Sequence, residues 1–257
     1  MPRANRYHIP HQIWHITHRC HRGEFLLKFA RDRDRWMHWL FEAKQRYGLC
    51  ILNYIVTSNH IHLLVVDDGN DAISKSIQLI AGRVGQEYNQ RKHRKGAFWE
   101  DRYHATAIES GGHLLRCLVY IDMNMVRAGK IGHPVDWKQC GYSEIQAPPH
   151  RYRVIDRQKL IELCGFSDAE QFTRTHREWV EAAIKNCHLQ RMPEWTEAVA
   201  VGSREFAVQI KGSLAGRADS RTIMGVAEGY ELREPDVPYN DNLDDKMGTL
   251  SSENTAV

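Results

Sequence analysis

The chain has 257 residues, 42% of them hydrophobic, with 35 Lys+Arg against 32 Asp+Glu and a net charge of +3. That is enough apolar material for one large domain, or for a domain of about 150 residues with an appendage. The six cysteines (Cys20, Cys50, Cys117, Cys140, Cys164, Cys187) include no C-x-x-C pair, which excludes a zinc ribbon and a disulfide framework. No window approaches the roughly 18 apolar residues of a membrane helix, and the opening "MPRANRYHIPHQIW" lacks the apolar stretch of a secretion signal. The expectation is a soluble, cytoplasmic, reduced protein with no membrane partner.

The small net charge hides an asymmetry. Residues 1–153 hold 23 Lys+Arg against 14 Asp+Glu, net +9, and 13 of the 15 histidines, whereas the remainder is net −6. A polyanion or a metal is therefore expected at the N-terminal part, although a basic solvated face accounts for the charge equally well.

In chain order, "QIWHITH" (12–18) alternates as a strand, and residues 32–47 carry apolar residues at helical spacing with Gly48 as the stop. "LCILNYIVT" and "IHLLVV" are two β-rich runs around the turn-prone "SN". Residues 71–90 read as an amphipathic helix opened by Asp71. After the basic "RKHRKG", "RYHATAI" is a fourth strand, and "HLLRCLVYIDMNMVRAG" is a helix closed at Gly129. The order β-α-β-β-α-β-α predicts an α+β fold: a ferredoxin-like split β-α-β, four-stranded antiparallel sheet, with two helices on one face and the other face open to a ligand. Past Pro148-Pro149 a helical extension over 150–233 is predicted, with Asp156 capping one helix, Gly165 ending it and "SDAE" (167–170) as the capping box of a second. Residues 234–257 are acidic, turn-rich and poor in apolar side chains, the composition of a flexible tail.

Within the apolar run "NYIVTSNHIHLLV" (53–65), period-2 geometry sends His60 and His62 to one side of a strand and Ile61 and Leu63 to the other. Two neutral imidazoles side by side suit a divalent metal; a pair of surface histidines has the same pattern. Tyr120 and Asn124 are four residues apart and share a helix face, with Arg116 and Arg127 near, while Leu114, Leu118, Ile121 and Met125 form the opposing apolar stripe. By this spacing Tyr120 is not needed to complete the core; a boundary tyrosine with its hydroxyl in water has the same pattern. "NQRKHRKGAFW" places Arg91, Lys92, Arg94 and Lys95 beside Phe98 and Trp99. That mixture suits phosphates and stacked bases, and a solvated loop whose two aromatics close the core is the other reading. His8, His11, His15, His18 and His21 form no recognised ligand spacing and are not assigned to a metal.

"WHITHRC", "TSNHIHLLV", "GAFWEDRY" and "YIDMNMVRAG", in this order and spacing, resemble the single-tyrosine HUH transposases of the IS200-like type, and among them the REP-associated tyrosine transposases. The resemblance covers about residues 7–145. The later "VGSREFAVQI" and "YELRE" are similar to the extension of one subgroup. It implies an HUH domain over 1–147 with Tyr120 as nucleophile, and Mg²⁺ or Mn²⁺ held by His60, His62 and Asn124. It implies a metal-dependent endonuclease and strand transferase that cleaves and rejoins single-stranded DNA near palindromic, REP-like hairpins through a 5′-phosphotyrosine. Met125 stands where relatives usually have Pro, so the helix is expected to run on past Asn124. Contacts with DNA are expected from Arg3, Arg6, Arg91, Lys92, Arg94, Lys95, Phe98, Trp99, Arg102, Arg116 and Arg127, in a monomer or homodimer associated with the nucleoid when bound. The alternative is a non-catalytic nucleic-acid-binding protein, such as a repressor, that retains the fold.

Overall fold

In the computed structural model the described residues are 9–186, 192–214 and 221–234. β1 (Ile13–Arg19) leads into α1 (Ala30–Tyr47), then β2 (Cys50–Val56), β3 (His60–Val66) and α2 (Ala72–Lys92), then β4 (His104–Ile108) and α3 (Gly112–Asp122). The first four strands lie in the antiparallel order β2-β3-β1-β4, the predicted split β-α-β arrangement.

Local chemistry accounts for most boundaries. α1 stops at Gly48, whose φ of 67° is open to glycine and strained for other residues. Asp71 precedes α2, but with a φ of 61° and no side-chain bond to the helix; Asn70 instead accepts from Ala72 N at 3.1 Å. α2 also runs two residues further than its predicted end, so Arg91 and Lys92 sit on its last turn and not in the loop.

One sheet face carries Trp14, Ile16, Ile61, Leu63 and Val65, buried together with Trp36 and Leu40 of α1 and Ile77, Ile80 and Val84 of α2. Each such side chain taken fully from water contributes roughly 1.5–3 kcal/mol. The opposite face was expected to be open and is covered. α3 packs over it, as does the short α8 (Glu194–Glu197), and His15, Thr106 and Asp122 are fully buried there.

The helix predicted to run from residue 113 to Gly129 divides at Met123 (ψ −2°) into α3 and the single turn α4 (Asn124–Arg127). Asp122 fixes α3 from behind. Its carboxylate accepts from Asn53 Nδ2 at 3.0 Å and lies 2.8 Å from His176 Nε2, with all three residues fully buried.

After α5 (Tyr142–Gln146) come α6 (Arg157–Leu163), capped by Asp156 as predicted, and α7 (Ala169–Lys185). Asp168, not Ser167, caps α7, accepting from the amides of Glu170 and Gln171. The region predicted as helical also supplies strands: β5 (Ala200–Gly202) pairs parallel to β4, followed by α9 (Arg204–Ser213), β6 (Thr222–Val226) and β7 (Gly229–Arg233). One seven-stranded sheet, β2-β3-β1-β4-β5-β7-β6, results. The β-rich runs here are three to five residues long, too short to leave a clear period-2 signal. The acidic segment from residue 235 lies outside the described residues.

Candidate metal and nucleophile site

His60 opens β3 opposite Arg19, and His62 stands opposite Thr17. Their ring centroids are 5.0 Å apart with the planes at 85°. His60 is half-buried and His62 buried.

The hydrogen bonds fix which ring nitrogen carries the proton. His60 Nδ1 faces two acceptors, Asn59 Oδ1 at 2.8 Å and Thr57 Oγ1 at 3.0 Å. Asn59 is oriented by its Nδ2 donating to Gly23 O, and the Thr57 hydroxyl donates to His60 O. Nδ1 is therefore the N–H, and the lone pair lies on Nε2. At His62, Nδ1 lies 2.9 Å from His15 Nε2, and His15 Nδ1 lies 2.7 Å from Trp195 O. Burial pushes the His15 imidazole down to about 3 and holds His62 well below its ordinary value, so both are neutral at physiological pH.

Asn124, the first residue of α4, donates Nδ2 to His62 Nε2 at 2.9 Å. A half-turn of the amide presents Oδ1 at the same place, so an amide oxygen stands beside His62 Nε2, with the His60 ring 5.0 Å from that of His62. Nitrogen and oxygen donors of this kind suit a small divalent cation. Among the described residues no group of three or more His, Cys, Asp or Glu side chains could hold a metal; beside the two imidazoles stands the side-chain amide of Asn124.

Tyr120 completes the cluster. Its ring centroid is 5.9 Å from that of His62 and 6.1 Å from those of His15 and Trp195. Only 6% exposed, it belongs to the core, where the spacing did not require it, because Trp195 of α8 covers the helix face that local spacing leaves open.

The residues expected on DNA separate into groups. Lys92 and Lys95 are exposed, as is Arg102. Arg91 pairs with the buried Asp32, and Arg94 donates to Ala97 O at 2.8 Å and lies 3.4 Å from Glu24. Arg116 bonds Glu228 at 2.6 Å, joining α3 to the β6–β7 turn, while Arg127 lies against Tyr120. Phe98 is a core residue: glycine at position 85 of α2 lets it approach the helix, and no face is left for a base. Trp99 is half-buried, stacked on His18 at 4.1 Å and donating to Ala81 O. Arg3 and Arg6 lie outside the described residues.

Sequence reasoning missed four things. Thr57 reads as the end of a strand and Asn59 as part of a turn, yet they orient His60. His15 reads as a strand residue, yet it touches His62. Trp195 has no local motif. Phe25 and Phe29, 66% and 59% exposed, lie in the β1–α1 loop and are open to stacking, with Lys28 and Lys92 each within 6 Å of the Phe29 ring. "GEFLLKFA", a basic-aromatic stretch outside any periodic segment, was the available signal.

Residues 9–124 match the family model described as "Transposase IS200 like". No curated protein matches the chain. Among solved structures, a REP-associated tyrosine transposase bound to a REP hairpin is similar at 21% identity, covering 57% of this chain and 86% of that one, with a TM-score of 0.49. A candidate transposase from Deinococcus radiodurans is similar at 14% identity over 40% of this chain and 83% of that one, with a TM-score of 0.30.

Proposed function

We propose, from the match of residues 9–124 to the family model of IS200-like transposases, that this protein cleaves and rejoins single-stranded DNA near palindromic hairpins, with Tyr120 as nucleophile. The observation that carries the reading is the gathering of His60 and His62 of β3, Tyr120 of α3 and Asn124 of α4, about 60 residues apart in sequence, into one cluster.

Tyr120 Oη attacks a backbone phosphorus; the bond to the 3′ oxygen breaks, that oxygen takes up a proton and leaves as a 3′-hydroxyl, and the tyrosine proton passes to solvent. The product is a 5′-phosphotyrosine, and a second 3′-hydroxyl reverses the step to join strands. His60, His62 and Asn124 would hold Mg²⁺ or Mn²⁺, which when bound offsets charge gathering on the phosphate oxygens. A tyrosine of reference pKa near 10 is a poor nucleophile at pH 7, and a neighbouring cation favours its phenolate. Lys28, Lys92, Lys95 and Arg102 supply phosphate attraction, and Phe25 and Phe29 supply base stacking beside the His60 end of the site. Gly23 of the same loop accepts from Asn59, which orients His60, so the stacking surface adjoins the chemistry.

A second reading, DNA binding without cleavage, is favoured by one observation: Tyr120 is nearly enclosed beneath Trp195 and Arg127. One experiment separates the two. Incubation with a labelled single-stranded hairpin and Mn²⁺, followed by a denaturing gel, is expected to give a covalent adduct that is lost in Tyr120→Phe while hairpin binding persists. His62→Ala and EDTA are expected to abolish it too. An undiminished adduct in Tyr120→Phe moves the nucleophile elsewhere, and no adduct on any hairpin establishes the binding-only reading.

A further inference from the structure

The histidine pair at the site continues into a third ring. His15 and Thr17 share a face of β1, and the antiparallel register sets His15 diagonal to His62 on β3, with ring centroids 5.0 Å apart and planes within 17°. Behind His15 stands the backbone oxygen of Trp195 from the C-terminal extension, 180 residues away in sequence.

Proton bookkeeping along this chain has one solution. A backbone carbonyl only accepts, so His15 Nδ1 carries the hydrogen that meets Trp195 O. Neither ring is hydrogen-bonded to a carboxylate, and both rings are buried, so each is neutral and carries one N–H. His15 Nε2 is then an acceptor, and His62 Nδ1 must donate to it. The lone pair of His62 is left on Nε2, the nitrogen facing Asn124. Reversal at either link would place two N–H groups, or two lone pairs, 2.7 or 2.9 Å apart in a buried site.

From this geometry we infer that His15 is a positioning residue: together with Trp195 O it locks His62 in the Nδ1–H tautomer and so presents Nε2 to the ion-binding point. The inference deepens the metal reading above and rests on it. It also gives the C-terminal extension a part in the site, because the terminal acceptor of the chain lies on α8, whose position is fixed where Thr106 Oγ1 and His104 Nε2 meet Ala198 O at 2.8 and 3.0 Å.

The test has a readout independent of activity. In metal-free full-length protein, two-bond ¹⁵N–¹H correlation of the imidazoles is expected to show His62 as Nδ1–H with a slowly exchanging proton. Mn²⁺ affinity is read separately by the electron paramagnetic resonance of the free ion. His15→Phe keeps the ring and removes the acceptor, so the Nδ1–H signature should vanish and Mn²⁺ should bind roughly 10–100-fold more weakly, the usual cost of losing such a partner. His15→Gln can accept from His62 through Oε1 and donate to Trp195 O through Nε2, so both readouts should return to near wild type. A wild-type His62 found as Nε2–H overturns the inference, even if His15→Phe does not fold. So does a folded His15→Phe with unchanged tautomer and Mn²⁺ affinity. Wild-type Nδ1–H without any Mn²⁺ binding leaves the tautomer lock standing and overturns both the metal reading and the purpose assigned to the lock.

Discussion

The guanidinium of Arg127 lies 4.1 Å from the centre of the Tyr120 ring and donates Nη2 to the backbone oxygen of the same tyrosine at 2.7 Å. One side chain thus holds both the ring and the peptide of the proposed nucleophile, and it does so across the break between α3 and α4. Burial lowers the Arg127 pKa, opposed by its contacts with Tyr120, which marks a cation held in place for a local partner. Arg127→Gln is expected to slow single-turnover adduct formation about tenfold or more, equivalent to ~1.4 kcal/mol of barrier, and to change hairpin affinity little. An undiminished rate with weakened binding would return Arg127 to the DNA.

Phe25 and Phe98 should respond in opposite ways. Phe25→Ala and Phe29→Ala remove exposed rings and are expected to weaken binding to unpaired oligonucleotides by about 1–3 kcal/mol per stacked base, with the urea midpoint unmoved. Phe98→Ala should instead destabilise the fold by about 3–5 kcal/mol, because a buried ring packed between Gly85, Tyr88 and Trp99 leaves a cavity. Fluorescence anisotropy and urea unfolding on the same three variants decide the matter. An affinity loss confined to Phe98→Ala would restore the original assignment.

The basic residues after Tyr88 divide similarly. Lys92→Gln and Lys95→Gln are each expected to reduce the slope of log K against log[salt] by about 0.7, the single-strand value per phosphate contact. Arg91→Gln leaves the carboxylate of Asp32 buried without its partner. Its main effect should be a loss of stability of about 3 kcal/mol or more. Slopes unaltered in both lysine variants would show that the DNA passes elsewhere.

Stability should also depend on pH through buried imidazoles. Burial lowers the His104 pKa, against the opposing bond to Ala198 O, and lowers that of His113. As pH falls through the unfolded value near 6.5, the unfolded chain takes up protons that the folded protein does not. Stability present above pH 6.5 is therefore lost below it, at up to about 1.4 kcal/mol per pH unit for each proton of difference. Urea midpoints at pH 7.5 and 5.5 in EDTA should fall in that order, and His104→Gln should reduce the difference. Equal midpoints would mean these rings are not held neutral.

Where the causes are local, the sequence was legible. Gly48, Gly129 and Gly165 end their elements with positive φ, Asp156 caps its helix, and alternation alone places His60 and His62 on one side of β3. Tyr120 and Asn124, four residues apart, both stand beside His62, although the helix divides between them at Met123. Helix and strand periods act over a few residues, so a few residues suffice to read them.

What the sequence alone could not decide depends on register and distant packing. His15 meets His62 only because β1 pairs with β3 in one particular register, and a slip of one residue would turn His15 to the opposite face. The burial of Tyr120 depends on α8, some 75 residues onward, settling over a sheet face that looks open when the first 147 residues are read by themselves. Phe98 becomes core because α2 has a glycine at the contact, and Phe25 stays outside while its loop neighbours Leu26 and Leu27 take the places in the core. Each of these outcomes is fixed by contacts between segments far apart in the chain, and such contacts leave no periodic trace in either segment.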